Sequence, residues 1–151
     1  MRDATDTRLL AALQADATLT AEALGARVNL SPSQAARRRA RLEAAGIVTG
    51  YGARIDPGRV GLTVQAFVRV IMASHDPGAA RSFATLLRST PEIVEAWTLT
   101  GESDYLLRLF CADLPELNRL VQEVLLPHPA VARVQSQIVM EELKAGRQLP
   151  L

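Results

Sequence analysis

The chain has 151 residues, of which 48% are hydrophobic and 22% charged, and its formal net charge is +1. This composition is typical of a folded protein with one or two small domains and excludes an intrinsically disordered chain. No apolar run approaches the roughly 18 residues of a membrane span, and the first positions are polar and charged. We therefore expect no membrane span, no signal peptide and a cytoplasmic location.

The charges are divided unevenly along the chain. Residues 1–60 contain nine arginines and six acidic residues, whereas residues 61–151 contain eight basic and ten acidic residues. A basic first part beside a mildly acidic second part favours a nucleic-acid-binding head on a body with another task. We predict two domains, 1–60 and 61–151.

Two short helices are predicted before residue 30. Residues 7–15 carry three leucines at helical spacing, and Thr20 opens a second segment with Leu24 and Val28 on one side. Asn29 tolerates the left-handed conformation that ends a helix, and only Leu30 separates it from the next helix start. This spacing indicates a helix-turn-helix.

The next helix has a well-defined start. Ser31 is a favourable N-cap, Pro32 follows where its missing N–H costs nothing, and Gln34 can complete a capping box. We predict that the helix begins at Pro32. At about 100° per residue, a broad polar and basic side lies opposite a face formed by Ala35 and Leu42.

Four arginines lie within five positions of this helix. Such a run alone is equally typical of a solvated surface helix, but the helix-turn-helix spacing favours DNA binding. In that motif the N-terminal part of the later helix lies nearest the base edges, whereas phosphate contacts fix position and add salt-dependent affinity. The candidate base-reading residues are Ser33, Gln34 and Arg37, the candidate phosphate-binding residues are Arg38 and Arg41, and Ser31 completes the predicted DNA-binding set.

The fourth arginine, Arg39, projects close to the apolar face. A buried unpaired guanidinium would be very costly. We expect Arg39 to pack its stem on the domain and to extend its head to solvent or to an acidic neighbour.

A β-prone segment, residues 47–55, follows the helices and is interrupted by glycines. We predict a linker strand here and a domain boundary near residue 60. The strand could act as the wing of a winged helix-turn-helix or pair with another subunit. We favour pairing, because Arg54 is its only charged residue.

The second domain is predicted as strand, helix, strand, strand, helix, strand. This βαββαβ order indicates an α+β sandwich of ferredoxin-like topology. The open face of its sheet requires a partner, and a back-to-back homodimer would cover it. The predicted elements are 64–72, 77–89, 93–100, 105–111, 115–126 and 131–140.

The chain resembles the leucine-responsive and asparagine-responsive regulator family (Lrp/AsnC) over essentially its whole length. The glycine-bearing loop from Gly101 to Leu107 is similar to the family's Gly-x-x-Asp-Tyr loop. The other matching segments are 30–33, Arg38 with 41–43, 46–48, 50–51 and 139–144. Their order and spacing together carry the resemblance.

The resemblance implies a transcription regulator that assembles as dimers, often as octameric rings, and senses an amino acid through its second domain. Family effectors bind near the Gly-x-x-Asp loop. Glycine backbone N–H groups can approach a carboxylate, and Asp104 could receive an amino group. The candidate effector-binding residues are Thr100, Gly101, Glu102, Asp104 and Ser136.

The sequence leaves two alternatives open. The first is an enzyme similar to sirohaem decarboxylases. The only histidines that such an enzyme could use are His75 and His128, and both are predicted to be exposed loop residues. The second is an amino-acid-binding or assembly module whose head has lost DNA affinity. Cys111 is predicted to be a buried free thiol, and the sequence predicts neither a metal site nor a cofactor.

Overall fold

A computed structural model describes residues 3–74, 76–144 and 148–151 of the chain. The chain divides into two compact units, one of residues 1–54 with 144–151 and one of residues 55–143. Among the described helices, none combines the length and apolar character needed to cross a membrane.

The first unit is built from three helices, α1 (Ala4–Ala15), α2 (Ala21–Val28) and α3 (Pro32–Ala44). Each begins at a side-chain cap, and α3 starts at Pro32 with the predicted capping box between Ser31 and Gln34. Asn29 ends α2 in the left-handed conformation, with φ of 57°. The helix-turn-helix prediction is confirmed. Its buried apolar residues are Leu9, Leu10, Leu13, Leu19, Leu24, Val28, Ala35 and Leu42.

Gly25 lies where α2 meets the turn before α3. A Cβ placed on this glycine would lie 2.7 Å from the Leu30 carbonyl oxygen and 3.3 Å from the Ser31 carbonyl carbon. Both neighbours are backbone atoms, which cannot move aside as a flexible side chain can. The absence of a side chain at Gly25 therefore permits the tight helix-turn-helix angle.

The last residues of the chain contact the end of α1. The Gln14 side chain accepts from the Leu149 N–H at 2.7 Å and donates to the Leu149 carbonyl at 3.3 Å. The predicted linker strand, residues 47–55, forms neither helix nor strand in this single chain. No wing is formed among the described residues of the first unit, and the strand predicted at 47–55 lacks a partner with which to pair.

The second unit contains the predicted antiparallel sheet, with strand order β2-β3-β1-β4. The strands are β1 (Val64–Met72), β2 (Ile93–Thr98), β3 (Tyr105–Cys111) and β4 (Val131–Ile138). This order and the βαββαβ succession confirm the ferredoxin-like topology. β2 and β4 each end two residues before the predicted boundary.

Two helical segments cover one face of the sheet. Helix α4 (Pro77–Ser89) has the predicted bounds, whereas the second begins as α5 (Leu114–Arg119) and continues as a π-helix (Leu120–Leu125). The wider π-helical turn returns residues five apart to nearly the same side, and Leu120 and Leu125 are both buried. Apolar spacing alone did not predict this change.

The core of the second unit lies between the helices and the inner face of the sheet. Successive strand residues alternate between faces, and paired residues share one. Val68, Val70, Leu107 and Leu109 are fully buried on the helix side. The outer face carries Phe67, Arg69, Ile71, Glu95, Trp97, Leu106, Arg108, Phe110, Arg133, Gln135 and Gln137.

We expect Gly25→Ala to destabilise the first unit. An alanine gains up to about 1 kcal/mol of helix propensity, but the backbone overlap costs about 1–3 kcal/mol, so the overlap decides the sign. Urea unfolding followed by far-ultraviolet circular dichroism measures the change. Gly52→Ala is the matched control, because a Cβ at Gly52 meets no atom within 4 Å. A Gly25→Ala protein as stable as the wild type would contradict this account of the turn.

Candidate functional site

The start of α3 presents the polar residues expected to read bases. Ser31, Ser33 and Gln34 are all exposed. Two of them also build the helix cap, since the Ser31 hydroxyl accepts from the Gln34 N–H at 3.3 Å and the Gln34 Oε1 accepts from the Ser31 N–H at 3.1 Å. The cap uses the side-chain oxygen of Gln34, Oε1. The side-chain NH₂ group of Gln34 is therefore available to an outside partner.

Arg38 and Arg41 are held by carboxylates of α1 and its cap. The Nη1 of Arg38 lies 2.7 Å from Asp3 and 2.8 Å from Asp6, and the Nη2 of Arg41 lies 2.6 Å from Asp6. The Arg38 hydrogen bond is the main cause that lowers the pKa of Asp3. The two candidate phosphate-binding arginines thus form ion pairs within the chain. Their positions in the α3 sequence do not predict these ion pairs.

Arg39 extends its head to an acidic neighbour, as predicted. Its Nε lies 2.9 Å from Glu43, its Nη1 donates to the Leu19 carbonyl at 3.2 Å, and its guanidinium lies 4.8 Å from the centre of the Tyr51 ring. Tyr51 also donates to Glu43 at 2.6 Å. Arg39 therefore links α3 to the segment that follows it and leaves the apolar core undisturbed.

Arg37 differs from the other three arginines of α3. It is exposed, and among the described residues none forms a hydrogen bond or an ion pair with its guanidinium. All of its donors are therefore available to a partner outside the chain, which is what bidentate recognition of a guanine edge requires.

The loop between β2 and β3 is tied to the neighbouring strand. Asp104 accepts from the Met72 N–H through Oδ2 at 2.7 Å and donates its own N–H to the Val70 carbonyl at 3.0 Å. Gly101 adopts a φ of +110°, a conformation that favours glycine. Asp104 is therefore an anchor of this loop, in addition to the effector role predicted from sequence.

A cleft of about 250 Å³ lies beside this loop on the outer face of the sheet. Glu102 is the only predicted effector residue that lines it, whereas Thr100 and Gly101 are exposed in the loop. Ser136 pairs with Val68 and therefore lies on the helix side of β4, away from the cleft. The residues that line the cleft are Arg69, Ile71, Glu102, Ser103, Arg133 and Gln135.

Sequence reasoning missed the two arginines of the cleft. Arg69 pairs with Gln135 and Ile71 pairs with Arg133, which brings both guanidiniums to the outer face near Glu102. Strand alternation could have placed Arg69 on that face, but the position of Arg133 depends on the β1–β4 register. The cleft combines positive and negative charge, as recognition of a zwitterion requires.

Of the two histidines, His128 is half-buried and hydrogen-bonded, which corrects the expectation of an exposed residue. Its Nδ1 accepts from the Ala130 N–H at 3.2 Å, its Nε2 lies 3.1 Å from the Ser82 hydroxyl, and its ring packs edge-on against Phe83. His75 lies outside the described residues.

Cys111 is buried as predicted, and burial raises the pKa of its thiol to about 11.

The first unit is a helix-turn-helix whose third helix is polar and basic, and the second unit is a sandwich with a cleft that carries both positive and negative charge. This combination is typical of a DNA-binding regulator with a ligand-binding domain. Residues 3–43 match the AsnC-type helix-turn-helix domain, and residues 65–149 match the Lrp/AsnC ligand binding domain. The chain therefore belongs to the Lrp/AsnC family of transcription regulators.

Relatives and solved structures agree with this assignment. The chain is 35% identical to the DNA-binding transcriptional activator DecR of Escherichia coli, over 100% of this chain and 99% of the relative. It is 32% identical to the leucine-responsive regulatory protein of Escherichia coli, over 97% and 90%. A transcriptional regulator from Neisseria meningitidis, solved in complex with L-Met, superposes with a TM-score of 0.95 at 41% identity, covering 99% and 97%.

The Tyr51–Glu43–Arg39 contact predicts a pH-dependent contribution to stability. The hydrogen bond from Tyr51, and after it the one from Arg39, lowers the pKa of Glu43 from its ordinary value of 4.5. A carboxyl with a lowered folded-state pKa stabilises the fold fully above its unfolded-state value, and this contribution is lost as the pH falls through the folded-state value.

Tyr51→Phe removes the hydroxyl but keeps an aromatic ring beside Arg39. We expect the wild type to be more stable than this variant at neutral pH, and the difference to shrink at an acidic pH below the lowered folded-state pKa of Glu43, where the carboxylate is lost. Urea unfolding at the two pH values measures it. A difference of equal size at both would show that the Glu43 carboxylate is not involved.

Proposed function

We propose that α3 is the recognition helix and enters the major groove of DNA, with Ser33, Gln34 and Arg37 nearest the base edges. The observation that carries this assignment is the exposed Arg37 guanidinium at the N-terminal half of a capped helix in a helix-turn-helix. Ser31 caps the helix beside them. Arg38 and Arg41 face the phosphates with the donors that the α1 carboxylates leave unused.

The chain binds DNA as a homodimer in this proposal. The outer face of the sheet exposes 43% of Trp97 and leaves Phe67, Leu106 and Phe110 only partly buried. Two such faces packed back to back would cover this apolar surface and supply two recognition helices. The operator would then contain two half-sites related by two-fold symmetry, and dimers could assemble further into an octamer.

The effector is an amino acid bound at the end of the sheet near the β2–β3 loop. The cleft offers Arg69 and Arg133 to an α-carboxylate and Glu102 to an α-ammonium group. The neisserial structure with L-Met supports this ligand class. Thr100, Gly101 and Asp104 complete the proposed set, with Asp104 holding the loop in place, whereas Ser136 lies on the helix side of β4, away from this cleft.

The protein acts as a regulator and not as an enzyme, working in the cytoplasm where DNA and free amino acids are both present. The hydrogen bonds of His128 support this reading, since both ring nitrogens serve the fold and neither faces the cleft. A purified protein that carried a coloured tetrapyrrole would instead favour the decarboxylase-like alternative.

The DNA-binding proposal is tested with Arg37→Ala. Selection of bound fragments from a random-sequence pool first defines the operator of the wild type, which we expect to be a palindrome. Loss of a bidentate base contact should reduce discrimination at one position of each half-site by about 1–3 kcal/mol. Competition assays with operators changed at single positions measure this loss.

Arg8→Ala is the matched control for Arg37→Ala. Arg8 is an exposed arginine of α1, so the substitution removes the same charge from the same unit without altering α3. We expect weaker binding at most, with an unchanged preference at every position. An unchanged preference profile for Arg37→Ala would instead assign that residue to phosphate or solvent.

The effector proposal is tested at the loop that borders the cleft. We expect Asp104→Ala to abolish the response of DNA binding to the amino acid while DNA binding without effector persists. Asp104→Asn keeps an oxygen that can accept from the Met72 N–H, so it separates the charge of Asp104 from its anchoring role. Calorimetric titration with each of the twenty amino acids identifies the effector and then compares the variants. A full response in Asp104→Ala would remove this residue from the site.

A further inference from the structure

The basic helix α3 is largely neutralised by carboxylates of its own unit. Asp3 and Asp6 lie within 2.8 Å of Arg38, Asp6 lies 2.6 Å from Arg41, and Glu43 lies 2.9 Å from Arg39. Each of these three arginines thus has a carboxylate in direct contact. Among the described residues of α3, Arg37 is the arginine without such a partner.

Asp6 has an unusual position in this arrangement. Its side chain is only 3% exposed, and its two oxygens bind different arginines, Oδ1 to Arg38 and Oδ2 to Arg41. A carboxylate removed from water is tolerated only when it is paired. The contact is therefore built into the packing of α1 on α3, unlike an exposed surface ion pair, which contributes little.

Neutralisation of α3 has a consequence for DNA binding. Attraction between arginines and the phosphate backbone is independent of sequence and supplies most of the affinity for random DNA. A carboxylate beside an arginine opposes that attraction but leaves the base contact of Arg37 intact. The same arginines face the phosphates of the operator, so the carboxylates weaken this attraction on DNA of any sequence.

We infer that Asp6 is a positioning residue for DNA recognition, which acts as an internal counter-ion that restrains Arg38 and Arg41 and so limits binding to DNA of any sequence. The inference rests on the proposed role of α3 in DNA binding. Asp3 also restrains Arg38. Unlike Asp6, its side chain is 52% exposed.

The test compares Asp6→Asn and Asp3→Asn with the wild type. Binding to a short duplex of random sequence is measured by fluorescence anisotropy over a range of salt concentrations, beside binding to the selected operator. For each arginine that gains a phosphate, we expect the slope of log K against log salt to steepen by about 0.9. Affinity for the random duplex should rise in both variants.

Asp16→Asn is the matched control. Asp16 lies at the end of α1 and binds Thr18, so its substitution adds the same charge to the unit without touching an arginine of α3. We expect its salt slope to stay close to that of the wild type. An equal steepening in Asp16→Asn would assign the effect to net charge alone and overturn the inference.

Two further outcomes are decisive. If Asp6→Asn fails to fold, the inference is tested with Asp3→Asn, because an exposed carboxylate can be replaced without leaving a buried group unpaired. An unchanged salt slope in Asp3→Asn overturns the inference. If the wild type itself binds the random duplex without salt dependence, the proposed role of α3 fails and this inference fails with it. The wild-type titration alone distinguishes that case.

Discussion

The burial of one carboxylate constrains the whole DNA-facing unit. Asp6 is almost inaccessible, and its charge requires partners that the core cannot provide. Both partners lie on α3, nearly one turn apart, so α1 cannot slide along α3 without leaving charge unpaired. The apolar contacts beneath them, among Leu9, Leu13 and Leu42, favour association but are not directional. The ion pairs therefore supply the register that those contacts lack.

The sheet of the second unit has two faces of different composition. The helix side carries the buried core residues, whereas the outer side mixes aromatic residues with charged ones such as the Glu95–Arg108 pair. A loop that borders a cleft on this outer side would be mobile if it were held only by its own hairpin. Its backbone and the Asp104 carboxylate are tied to the end of β1, so the fold sets the loop conformation.

Local signals made much of the fold predictable. The start of α3 follows from Ser31 and Gln34 alone, because a cap depends on residues three apart in sequence. Strand alternation and helix spacing were sufficient for the order of elements in the second unit. These features depend on short stretches of chain, and the structure reproduces them within about two residues at most boundaries.

The features that sequence did not disclose depend on distant pairs. The contacts of Asp6 with Arg38 and Arg41 join residues more than thirty positions apart, and an arginine run on one helix does not indicate which carboxylate meets it. Ser136 is a predicted effector residue, and the β1–β4 register places it on the helix side of β4, since a shift of one residue reverses the face. Arg69 and Arg133 meet at the cleft for the same reason.

Trp97 is the only tryptophan in the chain, and it lies on the outer face of the sheet with 43% of its surface accessible. Indole emission shifts to shorter wavelength when water is removed from the ring. The protein therefore carries an intrinsic optical reporter at the surface that the proposed homodimer would cover. In that dimer its emission maximum would report assembly without a label and without a substitution in α3 or the β2–β3 loop.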